Sequence, residues 1–239
     1  MSWKGKFSLI ILLILLSATL AYMFRPGYDQ VWSGDIIDTI KLPQPIIKGN
    51  MSVEEAIHDR RSIRTYSSAP LTLEDISQLM WAAQGITDSS RNYRTAPSGS
   101  HTFGLEAYIL IGNNNNLEQG LYHYNPFNHT LEQLTKDDVR SKLSEASSSQ
   151  EWVEKAPVDI IITGNYQKFV DKYHDEKLSA RFINNEAGHA GQNIYLESVA
   201  RNLGTVAIGS FDDEKIHDIL PIPSIEKTVY VYPVGHKID

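Results

Sequence analysis

The sequence predicts an α+β fold in which helices pack around a sheet. Its predicted strands and helices follow one another without the strict alternation that a parallel α/β sheet requires. Of the 239 residues, 41% are hydrophobic and 10% are aromatic, which is enough to bury a core. From Ala187 to Leu203, apolar residues recur at intervals of three to five positions, a pattern typical of a buried helix. We expect the rest of the chain to pack around this central helix.

The composition excludes several classes of function. The net charge is −7, from 29 acidic and 22 basic side chains, which disfavours a nucleic-acid-binding surface because such a surface needs clustered positive charge. The chain has no cysteine, and this excludes disulfides, cysteine-ligated metals, iron–sulfur clusters and thiolate nucleophiles. Any redox chemistry must therefore come from a bound cofactor.

The first 25 residues differ in character from the rest. Lys4 and Lys6 precede an apolar run over residues 7–24, and Arg25 follows it. The run reaches the lower limit for a helix that spans a bilayer, and the two lysines favour a cytoplasmic N-terminus with the domain outside. The alternative is a signal peptide cleaved near Ala21. The sequence predicts a single N-terminal membrane anchor, or secretion after cleavage. Arg25, Lys41 and Lys48 lie on the other side of the run and oppose the lysine signal, so the orientation stays open, with a slight preference for an extracytoplasmic domain.

The folded domain is predicted to cover residues 51–239. Residues 26–50 are rich in proline, glycine and isolated apolar residues, which is typical of an extended linker. Two helices then begin at Ser52 and Thr72, since each residue is followed three positions later by an acidic side chain, the spacing of a capping box. Apolar residues at helical spacing carry the second helix to Gly85.

The later elements are predicted by the same rules. Continuous or alternating apolar runs that end at turn residues indicate strands, and apolar residues three or four positions apart indicate helices. The predicted strands cover 105–111, 121–124, 131–134, 158–162, 205–208 and 227–234. The predicted helices cover 137–146, 151–156, a segment around 169–173 and 213–220. Gly204, just past Leu203, predicts the end of the central helix.

A cluster of arginines follows the first predicted helix. Arg60, Arg61, Ser62 and Arg64 fall within five residues. Guanidinium groups this close repel one another unless an anion joins them, and their planar donors match phosphate. The alternative is a solvated basic helix end, which the helix dipole favours.

A small turn between residues 97 and 100 is the second candidate site. Pro97, Ser98, Gly99 and Ser100 form a segment with little side-chain bulk, so its backbone can approach a flat ligand. The alternative is an ordinary loop. The sequence lacks G-x-S-x-G, H-E-x-x-H, the P-loop and the Rossmann fingerprint, which argues against a serine hydrolase, a metal site and those two nucleotide sites.

Taken in order, these segments resemble the nitroreductase family of FMN flavoproteins. The closer resemblance is to its SagB-type dehydrogenase branch, relatives of azoline oxidases that act on cyclised residues in peptides. It covers residues 41–237 and depends on RRSIRTY, LTLEDISQLMWAAQGIT, RTAPSGSH, GLYHYNP, KAPVDIIIT, EAGHAGQN, GTVAIGSFDDE and PVGH. The resemblance implies a nitroreductase-like fold, with a mixed, mainly antiparallel sheet and helices around a central buried helix. It also implies a homodimer with FMN at the interface.

The resemblance also implies roles for particular residues. The flavin phosphate and polar edge would be bound by Arg60, Ser62 and Arg64, with Arg61 adjacent, and the isoalloxazine ring would lie along Pro97, Ser98, Gly99 and Ser100. The amides of Gly209 and Ser210 would face flavin N5. Lys237, next to His236, would be a further basic residue near the phosphate.

Lys172 and Tyr173 are the candidate catalytic residues. The resemblance implies them because azoline-oxidising members have a Lys-Tyr pair before the central helix, where it acts as acid and base. The surrounding DKYHDEKLSARF departs from the branch's K-Y-G-x-R-G-Y-R-F pattern, since it has no glycine. The alternative is a solvated, charged helix.

The sequence therefore predicts a membrane-attached, FMN-dependent oxidoreductase. It would exchange a hydride between flavin N5 and a small organic or peptide-derived substrate, with NAD(P)H as one possible electron donor. Three alternatives remain open: a dehydrogenase reoxidised by oxygen or quinone, a flavin-binding carrier or sensor without turnover, and a plain peptide-binding module. We expect no nucleic acid and no metal among the ligands.

Overall fold

The computed structural model describes residues 35–67, 69–112 and 117–238. In this part of the chain the helices are α1 (Val53–Asp59), α2 (Leu73–Gln84), α3 (Arg140–Ala146), α4 (Glu151–Lys155), α5 (Tyr166–Tyr173), α6 (Glu176–Ala200) and α7 (Asp213–Ile219). The strands are β1 (Asp38–Lys41), β2 (Ile86–Asp88), β3 (Tyr93–Arg94), β4 (Leu105–Ile111), β5 (Gly120–Asn125), β6 (Thr130–Thr135), β7 (Val158–Asn165), β8 (Leu203–Thr205) and β9 (Glu226–His236).

The main sheet confirms the predicted α+β class. Its seven strands lie in the order β1-β6-β5-β4-β7-β9-β8, and every pair of neighbours is antiparallel. Strand β1 lies within the segment that the sequence analysis treats as a linker, and it pairs with β6 at the edge of the sheet. Strands β2 and β3 form a separate small hairpin.

The two faces of the sheet have different characters. Side chains alternate along a strand, so the odd-numbered residues of β4, such as Ala107 and Ile109, face the main core with helices α2 and α6. The even-numbered residues, such as Glu106 and Tyr108, face the other side. Helices α4 and α7 contact β9, and their buried residues Val153 and Ile216 lie outside the main core cluster.

Both predicted capping boxes are present. The Ser52 side chain accepts a hydrogen bond from the Glu55 amide, and the Glu55 carboxylate accepts one from the Ser52 amide. Thr72 and Asp75 make the same reciprocal pair at the start of α2. These contacts satisfy amides that have no partner within the helix.

The central helix differs from its predicted bounds at both ends. It begins at Glu176, because Asp175 caps it by accepting a hydrogen bond from the Leu178 amide. It ends at Ala200, before the end predicted from Gly204, and Asn202 adopts the left-handed conformation (φ 57°) that commonly follows a helix end. An asparagine tolerates that conformation better than most residues. Gly204 instead lies within β8.

The prediction of membrane attachment is corrected by the structure. Over residues 35–67, 69–112 and 117–238, no helix is both long and apolar enough to cross a bilayer. Helix α6 has 25 residues but includes Glu176, Lys177 and Arg181. Residues 1–25, on which the prediction depended, lie outside the described part of the chain. The prediction of a membrane-anchored, transmembrane protein is therefore withdrawn.

An ion-pair network of four side chains lies on the second face of the sheet, with Glu106 and His123 buried and Glu132 and Lys168 half-buried. His123 on β5 lies between two carboxylates: its Nε2 is 3.2 Å from Glu106 Oε2 on β4, and its Nδ1 is 3.3 Å from Glu132 Oε2 on β6. Lys168 on α5 donates to Glu106 Oε1 at 3.3 Å. The two cations pair with the two carboxylates, and such pairing is what makes buried charge tolerable. Glu226, which is buried on the same face, instead accepts hydrogen bonds from the hydroxyls of Tyr108 and Thr163.

These contacts shift the pKa values of the cluster. Burial alone would lower the pKa of His123, but the hydrogen bonds and charges of Glu106 and Glu132 raise it to about 9. Burial alone would raise the pKa of Glu106, but the hydrogen bond with His123 and the charge of Lys168 hold it below its usual range. His123 is therefore an imidazolium in the folded protein at neutral pH.

We expect the substitution His123→Gln to destabilise the protein by about 3–5 kcal/mol near pH 6, since the buried Glu106 and the half-buried Glu132 lose their shared cation. The pKa of His123 is about 9 when folded, against an ordinary value of 6.5. Its contribution is therefore complete below pH 6.5 and is lost as the pH rises through 9. Urea unfolding at about pH 6 and about pH 9.5 measures both effects.

His58→Gln is the matched control, because the side chain of His58 is 83% exposed on α1. It should leave the free energy of unfolding unchanged at both pH values. A wild-type protein and a His123→Gln variant with the same pH dependence between those two values would contradict the assigned charge of His123.

Candidate functional site

The arginine segment runs from the end of α1 along β8. Arg60 is the C-cap of α1, and the Ile63 amide donates to the Thr205 carbonyl at 2.9 Å, which fixes the segment beside that strand. The Ser62 hydroxyl lies 3.0 Å from the Tyr195 hydroxyl on α6. The Arg60 guanidinium lies 5.0 Å from the centre of the Tyr195 ring, within cation–π range. Arg60 and Ser62 therefore meet at one side chain of the central helix.

The other two arginines point elsewhere. Arg61 Nη1 donates to the carbonyls of His58 and Arg60, each at 2.8 Å, so this residue caps its own helix as the alternative interpretation requires. Arg64 lies over the Trp152 ring at 5.4 Å. Within the described residues none of the three guanidiniums forms an ion pair. In the described part of the chain, the three positive charges thus have no carboxylate within ion-pair distance.

The loop after β8 lies next to the arginine segment. The Tyr195 hydroxyl accepts a hydrogen bond from the Ala207 amide at 2.8 Å, and Gly209 and Ser210 follow two and three positions later, both exposed. Gln150 Nε2 donates to the Ser210 carbonyl at 3.4 Å, close to Trp152 in sequence. The loop and the arginines therefore share one region of the surface.

Lys237 lies at the same end of the sheet. It forms an isolated β-bridge with Tyr66, two residues after Arg64. Together with Arg61, Tyr195 and Thr205, it lines a cavity of about 140 Å³. We call Arg60, Arg61, Ser62, Arg64, Gly209, Ser210, Lys237 and Tyr195 the arginine side of the molecule.

The turn at residues 97–100 is held by a carboxylate on α6. Ser98 Oγ donates to Glu186 Oε1, and the Gly104 amide donates to Glu186 Oε2 at 3.1 Å. Ser98 Oγ also accepts from the Phe103 amide at 2.8 Å. A Cβ added to Gly99 would lie 2.9 Å from the Phe182 ring, so the lack of a side chain at Gly99 is required by close packing.

The backbone after this turn is strained. Ser100, His101 and Phe103 have φ values of 52°, 55° and 49°, and such left-handed conformations are uncommon for residues with a Cβ. The His101 ring stacks between Tyr93, at 5.0 Å, and Phe103, at 5.8 Å. Strain of this kind persists only where the surroundings over-determine it, and it clusters at ligand sites.

Lys172 and Tyr173 both contact the strained turn. Lys172 Nζ donates to the Ser100 carbonyl at 2.6 Å and to Thr102 Oγ1 at 3.2 Å. The Tyr173 hydroxyl lies 2.5 Å from Ser100 Oγ, and its ring stacks on Phe182 at 5.0 Å. We call residues 97–104 together with Lys172, Tyr173 and Glu186 the turn side of the molecule.

The two sides flank the exposed face of α6. Glu186 on the turn side and Tyr195 on the arginine side are nine positions apart, which corresponds to two and a half turns and about 14 Å along the axis. Their side chains therefore leave the helix in opposite directions. Arg181, Asn184, Gly188 and Gln192 form the exposed stripe between them. A single chain does not bring the two sides together.

The structure adds residues that the sequence analysis did not single out as site residues. Tyr195 links Arg60, Ser62 and Ala207, and only its place on the helix could have indicated this. The sequence could have indicated Glu186 more clearly, because it places an acidic residue directly before Ala187 on the apolar side of the predicted helix. Trp152 Nε1, beneath Arg64, is buried without a hydrogen-bond partner in the described residues.

These features fit a flat ligand with an anionic tail. Unpaired guanidiniums and the Ser62 hydroxyl suit a phosphate, and the exposed backbone at Gly209 and Ser210 suits a ring with hydrogen-bonding edges. The turn side offers a second flat surface, since Gly99 packs directly on Phe182. The residues present therefore match the chemical character of a flavin mononucleotide. The groups that suit its phosphate lie on the arginine side of α6, and a surface that suits its flat ring lies on the turn side.

Comparison with known proteins gives an independent result. A model of the nitroreductase family matches residues 57–236. A "putative nitroreductase" of Methanocaldococcus jannaschii is 36% identical over 202 residues, which are 84% of this chain and 99% of that protein. The crystal structure of a "putative nitroreductase" from Ralstonia eutropha superposes with a TM-score of 0.75 at 27% identity, over 87% of this chain and 93% of the other.

Two more distant relatives have more specific names. The FMN reductase [NAD(P)H] of Bacillus subtilis is 22% identical over 207 residues, or 78% of this chain and 66% of that protein. The trifolitoxin-processing protein TfxB of Rhizobium leguminosarum is 26% identical over 176 residues, or 69% of this chain. The chain spans about half of the Rhizobium protein, 47% of its length.

Proposed function

The chain belongs to the nitroreductase family, and we propose that it is an FMN-dependent oxidoreductase. In this proposal it exchanges a hydride between flavin N5 and a small organic or peptide-derived substrate. The family and the FMN reductase among its relatives support oxidoreductase chemistry with a flavin, and the toxin-processing relative agrees with the SagB-type resemblance. The observation that carries the proposal is the pair of complementary surfaces on the two sides of α6.

The arginine side is proposed to bind the phosphate. Arg60 and Ser62 meet at Tyr195 and present a guanidinium and a hydroxyl in the same direction, with Arg64 and Lys237 nearby. Arg61 is the weakest member, because its donors are used by carbonyls of α1. A phosphate here would neutralise charges that lack a carboxylate partner within the described residues, and charge-assisted hydrogen bonds of this kind are the strong ones.

The turn side and the loop after β8 are proposed to orient the ring. The backbone of Pro97, Ser98, Gly99 and Ser100 would pack along it, while the exposed amides of Gly209 and Ser210 would donate to its edge. FMN, when bound, supplies the hydride chemistry, and the protein supplies position, electrostatics and exclusion of water.

Lys172 and Tyr173 are proposed to handle the proton of the substrate. Their contacts with Ser100 place an ammonium and a phenol hydroxyl beside the turn that would face the ring. Lysine and tyrosine are both residue types that general acid–base catalysis uses. These contacts favour the dehydrogenase alternative over a flavin carrier, because a carrier has no use for an acid and a base at this position.

A homodimer would unite the two sides into one site. If two α6 helices cross antiparallel along their exposed stripes, the N-terminal half of one lies beside the C-terminal half of the other. Glu186 and the turn of one protomer would then come next to Tyr195 and the arginines of its partner. A twofold axis produces two such sites. Each protomer contributes its turn side to one site and its arginine side to the other.

The first test is the binding of FMN to the purified protein. We expect the wild-type protein to bind FMN, and Arg60→Ala to weaken binding by about 10- to 100-fold, because a hydrogen bond to a charged group contributes about 1.5–3 kcal/mol. Quenching of FMN fluorescence measures both dissociation constants. Lys142→Ala, which removes an exposed charge on α3, is the control and should change nothing. A wild-type protein that binds no FMN, even when FMN is in excess, would refute the proposal.

The second prediction concerns the dimer. Gly188 lies in the middle of the exposed stripe, and a Cβ added there meets no atom within 4 Å in the described chain. Gly188→Trp should therefore leave the protomer folded, shift a dimer to monomers, and reduce FMN binding at least tenfold. Ser141→Trp, at an exposed position on α3, is the matched control. Sedimentation velocity measures the association state. A dimeric Gly188→Trp variant with normal FMN binding would contradict an interface through α6.

The third prediction separates turnover from binding. Lys172→Ala should retain FMN but reduce substrate turnover by about 10²-fold or more, which is the usual contribution of a positioned acid or base. Lys177→Ala, which changes an exposed lysine in the first turn of α6, is the control. Mixing the flavin-loaded protein with NADH or NADPH without oxygen tests whether either nucleotide is the electron donor. A loss of flavin absorbance measures reduction of the flavin. Bound flavin that neither donor reduces and that supports no turnover would instead indicate the carrier.

A further inference from the structure

Glu186 lies at the junction between the central helix and the turn. Its side chain is buried, with 4% exposed. One carboxylate oxygen accepts from Ser98 Oγ at the start of the loop, and the other accepts from the Gly104 amide at its end, at 3.1 Å. A single carboxylate therefore closes a loop of seven residues, 98–104, at both ends.

A buried carboxylate at this position is expensive for the fold. Burial raises the pKa of Glu186, and the hydrogen bonds from the Ser98 hydroxyl and from the backbone of Gly104 and Gly99 only partly oppose this. In the described residues no basic side chain lies within ion-pair distance of it, and Arg94 acts on it only from a longer range. A glutamine or a hydrophobic residue would fit the helix at lower cost, so the carboxylate calls for a specific explanation.

The loop that Glu186 closes also carries the strain of the site. Ser100, His101 and Phe103 are all left-handed inside it. Two further contacts with α6 hold this region: Phe182 packs under Gly99 inside the loop, and Asn193 Nδ2 donates to the carbonyl of Thr95, three residues before it, at 3.2 Å. Of these contacts only that of Glu186 reaches both ends of the strained segment.

We propose that Glu186 is the positioning residue of the flavin-facing turn, which sets the distance and orientation of residues 97–100 relative to the isoalloxazine ring. The inference rests on the proposed function, since it needs a flavin at the turn. Glu186 acts through Ser98 and the backbone and does not touch the ring. Because the two bonds need two acceptors, a carboxylate serves and an amide does not: the NH₂ group of a glutamine cannot accept a hydrogen bond.

The test compares Glu186→Gln with Glu197→Gln in the full-length protein. Glu197 is the matched control, because it lies about three turns along the same helix and burial also raises its pKa, while its hydrogen-bond partner is Gln78 and not the turn. We expect Glu186→Gln to raise the dissociation constant of FMN about tenfold and to change the visible circular dichroism of the bound flavin. We expect Glu197→Gln to change neither.

Two further variants keep the inference testable if Glu186→Gln does not fold. Glu186→Asp retains two acceptor oxygens and should recover part of the wild-type spectrum. Ser98→Ala removes one of the two donors and should shift the flavin spectrum in the same direction as Glu186→Gln. A role confined to stability predicts lower melting temperatures in these variants but an unchanged spectrum of bound flavin.

The outcomes separate this inference from the proposed function. If the wild-type protein binds no FMN, both fail. If the wild-type protein binds FMN and the Glu186 and Ser98 variants bind it with unchanged affinity and spectrum, the positioning role alone is overturned.

Discussion

The close contact between α6 and the sheet is the constraint on which the rest of the structure depends. A Cβ added to Gly191 would lie 1.9 Å from the Tyr232 hydroxyl on β9, so the helix can approach the sheet only because residue 191 has no side chain. Ala187 and Ala190 are fully buried in the same contact. With this face of the helix fixed, its two flanks and its opposite face have defined directions, and loops can be held against them.

Both halves of the candidate site use those flanks. On one flank Tyr195 receives the arginine segment and the loop after β8, and on the other Glu186 and Phe182 receive the turn at residues 97–100. The parts are far apart in sequence, yet each is positioned by one or two side chains of the same rigid helix. Sites supported in this way keep their geometry better than sites built from loops alone.

The sequence predicts what depends on local pattern and fails where distant residues decide. The capping boxes at Ser52 and Thr72 and the main strands follow from spacing and composition, and the structure confirms them. The start of α6 was missed because the charged segment after Tyr173 hides the cap at Asp175. The convergence of Arg60 on Tyr195 needs contacts between residues more than 130 positions apart, which no local pattern encodes.

The buried charges on the second face of the sheet also bear on the site, through α5. Lys168 is tied to Glu106 within the network around His123, and Phe169 is fully buried in the core. Lys172, one helical turn further along, reaches the Ser100 carbonyl. Helix α5 is therefore fixed at one end by buried charge and at the other by the strained turn. The position of the candidate acid or base is thus supported from both ends of one short helix, and we expect a change in the network around His123 to affect the site through α5.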